Sequence, residues 1–357
     1  MNTPLAPGAT IGILGGGQLG RMLAVAAAQL GYRCHVYAPE GRAVAADVAA
    51  QRTTASFEDQ DALSRFADGC DIVTYEFENV PTAPLAALNL GDKVRPGIKA
   101  LDIAQSRIAE KTFFRDLGAR TAPFAFVDSA ESLQSAIADI GAPAILKTDR
   151  FGYDGKGQAR IMAPGEAGHA WKSIGERPAV LEGFVDFQAE FSVVTVRSAD
   201  GEVRFWDSTR NEHEDGILRR SLWPAGDAVT AQIEAARDIA RKAIEAMDAV
   251  GVLTFEFFAT KDGPVVNECA PRVHNSGHWT IEGAVTSQFE NHIRAITGLP
   301  LGDCGVVGTR IEMANLIGDE IEDGNAILSD PAAHLHHYGK VEARPGRKMG
   351  HVTKLYF

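Results

Sequence analysis

The segment FEFFATKDGPVVNECAPR, residues Phe255–Arg272, decides the fold. Apolar residues flank a turn signal at Lys261–Gly263, which predicts a β-hairpin. If the turn lies there, Glu256 on the first strand is opposite Glu268 on the second, with Cβ atoms roughly 5 Å apart. Two carboxylates that close repel each other unless a cation lies between them. The hairpin therefore predicts a cation site.

Oxygen ligands of this kind suit Mg²⁺, which completes its shell with water and nucleotide phosphates. Arg272 follows Glu268 by four residues, close enough to neutralise charge on a transferring phosphoryl group. The alternative is a charged pair on an exposed hairpin face. Because Phe255, Phe257 and Phe258 surround the first carboxylate, we favour a buried strand and a magnesium site.

Polar and basic segments follow the hairpin. RVHNSGHW, Arg272–Trp279, has the polarity of a pocket lining, and the C-terminal HHYGK and RPGRKMGH contain Lys340, Arg344, Arg347 and Lys348. The chain carries 35 Lys and Arg against 47 Asp and Glu, a net charge of −12 at pH 7, so a local basic cluster indicates an anionic substrate group. A structural role is favoured over a metal site for three neighbouring histidines, His334, His336 and His337.

A glycine-rich loop near the N-terminus matches G-x-G-x-x-G through Gly15, Gly17 and Gly20. Two interpretations are about equal. The loop either binds a phosphate at the start of a helix, or it is a tight turn where glycine lets helix and sheet approach. The pattern is weak support for NAD, because Glu40 lies just past the second predicted strand and not at its end.

A second glycine-rich loop lies in LKTDRFGYDGKGQ, Leu146–Gln158. It is not a P-loop, because Gln158 and Ala159 stand where Lys and Ser or Thr are required. With Lys147 before it and Lys156 inside it, the loop has the character of a cationic lid over nucleotide phosphates. The alternative is a solvated hairpin.

The composition, 45% hydrophobic and 23% charged, is typical of a globular protein. The acidic balance argues against nucleic acid and anionic membranes as partners. No apolar run approaches the ~18–20 residues of a membrane span, and no signal peptide is indicated. Four scattered cysteines predict free buried thiols and a cytoplasmic location: Cys34, Cys70, Cys269 and Cys304.

The order of strand and helix signals predicts three domains. Residues 1–98 alternate strands and helices, which predicts a Rossmann-like parallel sheet. A single helix, Lys99–Leu117, then opens a small lid domain that covers residues 99–184. Long strands follow in residues 185–357, which form a mixed-sheet domain with a terminal basic subdomain from about residue 300.

Five motifs together resemble the ATP-grasp superfamily and, within it, the family of 5-(carboxyamino)imidazole ribonucleotide synthases of purine biosynthesis. They are GGGQLGRM, TYEFENVP (Thr74–Pro81), GYDGKGQ, NECAPRVHNSGHW and RPGRKMGH. The resemblance covers nearly the whole chain. It implies an α/β and α+β ATP-grasp architecture, with the Rossmann-like domain first, the lid domain second and the mixed-sheet domain last.

The resemblance implies that ATP lies between the second and third domains. Arg107 and Lys147 would contact its phosphates, the backbone of the Glu182–Val185 strand would read the adenine, and Glu190 would hold the ribose. The residues assigned to ATP are Arg107, Lys147, Gly152, Tyr153, Asp154, Gly155, Lys156, Gly157, Gln158, Glu182, Gly183, Phe184, Val185, Glu190, His213, Asn267 and Glu268. Glu256 and Glu268 would hold Mg²⁺, with water or phosphate completing the shell because Ala270 stands where many relatives carry Asn.

The implied reaction joins aminoimidazole ribonucleotide and bicarbonate at the expense of ATP, through carboxyphosphate or CO₂ released from it. Arg272, His274 and Asn275 would place bicarbonate, and Asp154 would orient the amine. The residues assigned to the ribonucleotide are Gly17, Gln18, Leu19, Glu76, Tyr153, Lys340, Arg347 and Lys348. The resemblance also implies a homodimer.

Three alternatives stay open. Another ATP-grasp carboxylate–amine ligase would share the ATP half and differ in the segments Arg272–Trp279 and Arg344–His351. A nicotinamide oxidoreductase would rest on Gly15–Gly20 alone and would leave the hairpin unexplained. A non-catalytic nucleotide sensor would not need the carboxylate pair, which the sequence retains.

Overall fold

The computed structural model describes residues 3–152 and 157–357 of the chain. Its strands form three sheets that follow one another along the sequence. The first sheet is parallel, in the order β3-β2-β1-β4, and consists of β1 (Thr10–Leu14), β2 (Arg33–Ala38), β3 (Gln51–Thr54) and β4 (Ile72–Tyr75). The accompanying helices are α1 (Gln18–Gln29), α2 (Gln60–Asp68) and α3 (Thr82–Ala87).

Two helices, α4 (Ile98–Gln105) and α5 (Arg107–Asp116), follow the first sheet. The prediction of one helix over Lys99–Leu117 is therefore wrong. The break is at Ser106, whose backbone is extended and whose hydroxyl accepts the Ala109 N–H at 3.3 Å. The carboxylate of Asp149 accepts a hydrogen bond from the same hydroxyl, at 2.9 Å. This local cap begins a new helix and places Arg107 in its first turn.

The second sheet, which we call the lid sheet, is antiparallel in the order β5-β8-β6-β7. Its elements are β5 (Phe124–Val127), α6 (Ala130–Ile140), β6 (Ala144–Thr148), β7 (Gln158–Ile161), α7 (Ala167–Ser173) and β8 (Ala179–Gly183). Four residues predicted to bind ATP or substrate lie outside the described residues: Tyr153, Asp154, Gly155 and Lys156.

The third sheet is antiparallel and has nine strands, in the order β14-β13-β9-β11-β12-β15-β17-β16, with β10 also paired to β9. The strands are β9 (Ala189–Arg197), β10 (Val203–Phe205), β11 (Thr209–Glu214), β12 (Ile217–Trp223), β13 (Gly251–Thr260), β14 (Gly263–Ala270), β15 (Arg310–Ile317), β16 (Ala333–His337) and β17 (Lys348–Tyr356). The helices are α8 (Asp227–Thr230), α9 (Ile233–Ala246), α10 (Thr280–Gly283), α11 (Gln288–Thr297) and α12 (Gly324–Leu328). The C-terminal strands thus extend the sheet that contains the hairpin β13–β14.

The predicted ATP-grasp type of architecture is confirmed, with a parallel N-terminal sheet, but the third sheet, predicted to be mixed, is antiparallel throughout. The four cysteines are free and buried, as predicted. Within the described ranges, no helix has the length and apolar character needed to cross a membrane.

One hydrophobic core joins the first and third sheets. Ile11 and Leu23 from the N-terminal sheet and its helix α1 pack in the same cluster as Trp279, Phe289 and Ile293. Helix α11, which carries two of these side chains, lies against α1. The N-terminal sheet is therefore fixed to the third sheet by buried apolar contact.

We expect Ile293→Ala to lower the free energy of unfolding by about 2–5 kcal/mol, because it removes apolar contact and leaves a cavity in this shared core. Ile293 has no exposed surface. The measurement is urea unfolding followed by fluorescence and circular dichroism. Val285→Ala is the control, since Val285 is 60% exposed and its truncation should change stability by less than about 0.5 kcal/mol. Equal stabilities of the two variants would contradict the shared core.

Candidate active site

A cleft of about 740 Å³ lies where the loop after β1, helix α5 and the third sheet meet. Four segments that are far apart in the sequence line it: Gly15–Leu19, Glu76–Asn79, Glu268–Ala270 and Arg344–Lys348. Arg107 and Glu110 contribute from α5. The folded chain therefore brings the conspicuous motifs of the sequence to one place.

Predicted residues of three kinds line this cleft. They are Gly17, Gln18, Leu19, Glu76, Lys340, Arg347 and Lys348 for the ribonucleotide, Arg272, His274 and Asn275 for bicarbonate, and Arg107, Gly152 and Glu268 for ATP. Other described residues assigned to ATP or Mg²⁺ lie on the lid sheet or directly before β7 (Lys147, Gly157, Gln158, Glu182, Gly183) and on the third sheet (Glu190, His213, Glu256, Asn267). Phe184 and Val185 line a second cavity of about 430 Å³ between the lid sheet and the hairpin turn.

The two glutamates of the hairpin lie opposite each other, as predicted, because the turn falls at Lys261 and Asp262 between β13 and β14. Burial and the charge of Glu268 raise the pKa of Glu256 to about 7. Burial acts to raise the pKa of Glu268, but Arg107, Lys147 and Lys111 together outweigh it and hold that pKa below its ordinary value. The two carboxylates therefore differ in proton affinity, and a cation between them would reduce their repulsion.

Arg107 is the cation that compensates Glu268. Its Nη1 lies 3.1 Å from the carboxylate, and its Nη2 donates to the carbonyl oxygen of Gly152 at 3.4 Å. The guanidinium thus connects the strand that carries the predicted metal ligand with the start of the lid loop. The break at Ser106 gives Arg107 this position.

A buried cluster of two lysines and one glutamate lies beside this pair. Glu182 Oε2 is 3.0 Å from Lys147 Nζ and 3.3 Å from Lys111 Nζ. Although burial opposes it, the two ammonium groups lower the pKa of Glu182. Its second oxygen, Oε1, is buried and has no hydrogen-bond partner among the described residues. The sequence interpretation missed Lys111, which lies one helical turn after Arg107.

Glu110 is a further residue that the sequence interpretation missed. It lines the cleft, is almost fully buried and accepts the backbone N–H of Cys269 at 2.5 Å. Burial and the nearby charge of Glu268 raise the pKa of Glu110 to about 7. Helix α5 is thereby attached to β14 by the carboxyl group of Glu110, whose pKa lies near neutral pH.

Two amides of the glycine-rich loop after β1 are bound by a side chain of the protein itself. Glu76 accepts the N–H of Gly17 at 2.7 Å and of Gly20 at 3.4 Å. Gly15 has φ +114°, and a Cβ there would lie 2.5 Å from the Glu76 carboxylate. The close-approach interpretation of the loop fits these contacts. Glu76 also lines the cleft, and its contact with the ribonucleotide stays a prediction.

Arg272 is paired with Glu78, from the same TYEFENVP segment. The Arg272 Nη2 lies 2.5 Å from the Glu78 carboxylate, and Nη1 donates to the Val273 carbonyl at 3.0 Å. Arg272 Nε is buried without a partner in the described structure. The TYEFENVP motif could have identified Glu78 as a candidate site residue. Only the structure shows which of its two glutamates, Glu76 or Glu78, pairs with Arg272.

The neighbours of Arg272 are held by the protein. His274 Nδ1 accepts the backbone N–H of Ser276 at 3.3 Å, and His274 Nε2 lies 3.5 Å from the Glu256 carboxylate. Burial, with Arg272 nearby, keeps the pKa of His274 well below its ordinary value, so the ring is neutral. Asn275 forms a reciprocal amide pair with Asn315 at 2.9 and 2.7 Å. Asn275 is thus held by Asn315 while it lines the cleft, and its contact with bicarbonate stays a prediction.

The basic C-terminal cluster contacts backbone around the cleft. Lys340 Nζ donates to the Lys348 carbonyl at 2.7 Å, and Arg347 donates to the Glu342 carbonyl at 2.9 Å. Arg344 instead forms an exposed ion pair with the Glu342 carboxylate. The nitrogens of Lys340, Arg347 and Lys348 thus surround one end of the cleft, where an anion would gain from them.

Glu190 and His213, both predicted to lie at the nucleotide, contact each other at 2.6 Å across β9 and β11. Although burial opposes it, the hydrogen bond that the His213 ring donates to the Glu190 carboxylate raises the pKa of His213. Asn267 Oδ1 is buried without a partner in the described structure, while its carbonyl accepts Lys111 Nζ at 3.1 Å.

Three family models match the chain in succession. They are the ribonucleotide synthetase preATP-grasp domain over residues 8–105, the ATP-grasp domain over residues 112–289 and the phosphoribosylaminoimidazole carboxylase C-terminal domain over residues 312–356. The order agrees with the three parts of the fold.

Similar proteins match over nearly the full chain. The N5-carboxyaminoimidazole ribonucleotide synthase of Brucella melitensis is 49% identical over 99% of this chain and 98% of its own. The crystal structure of the corresponding synthetase from Thermus thermophilus is 48% identical, with a TM-score of 0.89 and coverage of 97% and 93%. The Aspergillus clavatus synthase in complex with ADP and 5-aminoimidazole ribonucleotide is 32% identical, with a TM-score of 0.91 and coverage of 98% and 94%.

The raised pKa of Glu110 predicts a pH dependence of stability. The folded protein binds this proton more tightly than the unfolded chain, so the stabilisation is complete below the ordinary value of 4.5 and is lost as the pH rises toward 7. Glu110→Gln keeps an acceptor for the Cys269 N–H and removes the titration. The free energy of unfolding of the wild type should therefore fall more steeply than that of the variant, by up to about 1.4 kcal/mol per pH unit.

Urea unfolding at several pH values between about 5 and 7 measures this difference. Glu131→Gln, at an exposed position on α6, is the control and should follow the wild type. Parallel pH profiles for the wild type and Glu110→Gln would show that Glu110 does not titrate in this range.

Proposed function

The chain belongs to the N5-carboxyaminoimidazole ribonucleotide synthase family of ATP-grasp ligases, and we propose that it joins 5-aminoimidazole ribonucleotide to bicarbonate with the cleavage of ATP. The observation that carries the proposal is the single cleft at which Arg107 and Glu268, Arg272, and the basic cluster meet. The nucleotide, bicarbonate and the phosphorylated amine would each meet side chains of complementary charge there. A cytoplasmic homodimer, which the family resemblance implies, is part of the same proposal.

The chemistry requires activation of bicarbonate, which is a poor electrophile. A bicarbonate oxygen attacks the γ-phosphorus of ATP, ADP leaves, and carboxyphosphate forms with a good leaving group. The exocyclic amine then attacks the carboxyl carbon, directly or after release of CO₂, while phosphate leaves and the amine loses one proton. Atoms and charge balance with ADP, phosphate and the carboxyamino product.

We assign the ATP phosphates to the buried cations where the lid sheet meets α5. Lys147 and Lys111 both pair with the carboxylate of Glu182, and Arg107 pairs with that of Glu268. Each cation is therefore held in place before a phosphate binds. Preorganised charge of this kind stabilises a transferring phosphoryl group without reorganisation.

We place the adenine and ribose of ATP beside the second cavity, which Phe184 and Val185 line. Phe258 pairs in register with Glu190, and its ring stacks on that of Phe187 at 4.6 Å. An adenine between Phe258 and the Glu182–Val185 strand would bring its ribose to Glu190. His213 would keep that carboxylate oriented.

The carboxylate pair fits a magnesium ion. Glu256 is largely buried, with 14% of its side chain exposed, whereas 41% of the Glu268 side chain opposite it is exposed; the two carboxylates repel each other. The described residues contain no group of three or more His, Cys, Asp or Glu side chains that could hold a metal ion. When bound, Mg²⁺ would supply charge neutralisation for the phosphates, and water or phosphate would complete its shell. His274 would orient Glu256 through Nε2.

Arg272 is the residue we assign to bicarbonate. Glu78 fixes one end of the guanidinium, and the unpartnered Nε–H remains to donate to a bicarbonate oxygen. Lys340, Arg347 and Lys348 would bind the 5′-phosphate of the ribonucleotide, with Gly17–Leu19 across the same cleft. Asp154, which lies outside the described residues, remains our candidate to orient the amine.

The purified protein should release ADP from Mg-ATP and bicarbonate, and aminoimidazole ribonucleotide should stimulate that release strongly. Carbon from labelled bicarbonate should appear in the product, because the reaction forms a new N–C bond. A coupled assay for ADP and a label-transfer assay measure both results. ADP release that does not respond to the ribonucleotide would instead favour another ATP-grasp carboxylate–amine ligase.

Glu268→Gln should lower kcat by about 100-fold and raise the Mg²⁺ concentration needed for half-maximal activity, because it removes one metal-binding charge and the partner of Arg107. Binding of Mn²⁺ with ATP, measured by electron paramagnetic resonance, gives a readout separate from turnover. Glu320→Gln is the matched control, since Glu320 pairs with Arg219 and does not line the cleft. Wild-type metal affinity in Glu268→Gln would remove Glu268 from the metal site.

A further inference from the structure

Tyr338 is a buried polar residue that the proposed reaction does not use. It is 1% exposed and lies in the segment between β16 and β17. Its hydroxyl is 3.1 Å from His278 Nδ1 and 2.9 Å from His351 Nδ1. The oxygen therefore bridges two imidazoles from different parts of the chain.

His278 connects this hydroxyl to the cleft. We call residues 272–278, which run from the end of the hairpin to His278, the bicarbonate loop. Asn275, within it, donates its amide N–H to His278 Nδ1 at 3.0 Å, so that nitrogen is an acceptor and the ring proton lies on Nε2. Asn275 lines the cleft and is paired with Asn315, which also donates to the Leu218 carbonyl at 2.8 Å. A continuous chain of hydrogen bonds thus runs from Tyr338 to the cleft wall.

The ring of Tyr338 supports the basic cluster. The ammonium of Lys340 lies 5.5 Å from the ring centroid, a cation–π distance. The same ammonium donates to the Lys348 carbonyl at 2.7 Å, three residues before His351. One side chain therefore contacts the bicarbonate loop through its hydroxyl and the phosphate-binding cluster through its ring.

We propose that Tyr338 is a positioning residue that sets the bicarbonate loop relative to the basic cluster. The proposal rests on the function proposed above, because it assigns the loop to bicarbonate and the cluster to the ribonucleotide phosphate. The amine and the carboxyl carbon react only when the two substrates are held at the right distance, and small displacements cost large factors in rate.

The hydroxyl and the ring of Tyr338 make different contacts, so the effect of losing each can be measured separately. Loss of the hydroxyl removes the hydrogen-bond partner of His351 Nδ1 and one of the two partners of His278 Nδ1, whose other partner is Asn275, and it leaves the ring under Lys340 intact. Leaving a buried polar group without its partner costs about 1–3 kcal/mol, and about 1 kcal/mol corresponds to roughly a fivefold change in an equilibrium. Gln288 also holds the loop, through the backbone of His274 at 2.9 and 2.7 Å. The expected displacement is therefore confined to the Asn275–His278 end.

The test compares Tyr338→Phe, Tyr338→Leu and a matched control. We expect Tyr338→Phe to raise KM for bicarbonate at least about fivefold, with KM for the ribonucleotide changed less than about twofold. Tyr338→Leu should raise both KM values, because it also removes the ring beneath Lys340. Tyr32→Phe is the control: Tyr32 is buried, and its hydroxyl donates to the Leu5 carbonyl at 2.8 Å, far from the cleft. It should leave both KM values unchanged.

Hydrogen exchange gives a readout that does not need turnover. The amides of residues 275–278 should exchange about fivefold faster in Tyr338→Phe than in the wild type, and Tyr32→Phe should not change them. Equal rates in all three proteins, or equal increases of both KM values in Tyr338→Phe, would overturn the positioning role. A wild-type enzyme that ignores the ribonucleotide would instead contradict the proposed function, while the exchange result would still decide whether the hydroxyl holds the loop.

Discussion

The compensation of buried charge where α5 meets the hairpin β13–β14 is the constraint on which the site depends. An unpaired charge is costly to bury, so carboxylates and cations must reach this region together. The groups are Glu110, Glu182, Glu256 and Glu268 with Arg107, Lys111 and Lys147. Three of the seven come from the first turns of α5, which explains why that helix must begin at Arg107. The carboxylates exceed the cations by one, and the pKa values of two of them, Glu110 and Glu256, are raised to about 7. A divalent cation would relieve the same excess without a proton.

The N-terminal glycine loop is held to the segment after β4 by a carboxylate. Glu76 accepts the amides of Gly17 and Gly20. Burial raises the pKa of Glu76, and the hydrogen bonds from Gly17 and Gly20 act against that rise. The loop and the segment after β4 are thereby held together, which leaves the next glutamate, Glu78, directed to Arg272. The first sheet acts on the site by placing these side chains, and its glycines serve close packing.

The sequence could predict those features that follow from local periodicity and turn chemistry. Alternation along the hairpin and the turn after Thr260 placed Glu256 opposite Glu268, and the structure has that register. Contacts between distant segments were beyond such patterns: Glu78 and Arg272 are 194 residues apart. The helix break at Ser106 was missed because its cause is tertiary, a hydrogen bond to Asp149. A motif could identify a segment as functional, but it could not say which of its carboxylates faces the cleft and which faces the backbone.

The continuity of the third sheet explains how the parts of the cleft relate to one another. The carboxylate strand β13 and the basic strand β17 belong to one hydrogen-bonded sheet, separated by β9, β11, β12 and β15. The separation between the proposed metal ligands and the basic cluster proposed for the ribonucleotide phosphate is thus set by strand pairing. The bicarbonate loop leaves the end of β14 and returns toward β17 through His278 and Tyr338. Lys147 and Glu182, in contrast, lie on the separate lid sheet. The transferred phosphoryl group must therefore be delivered from the lid sheet to acceptors whose mutual positions are already fixed.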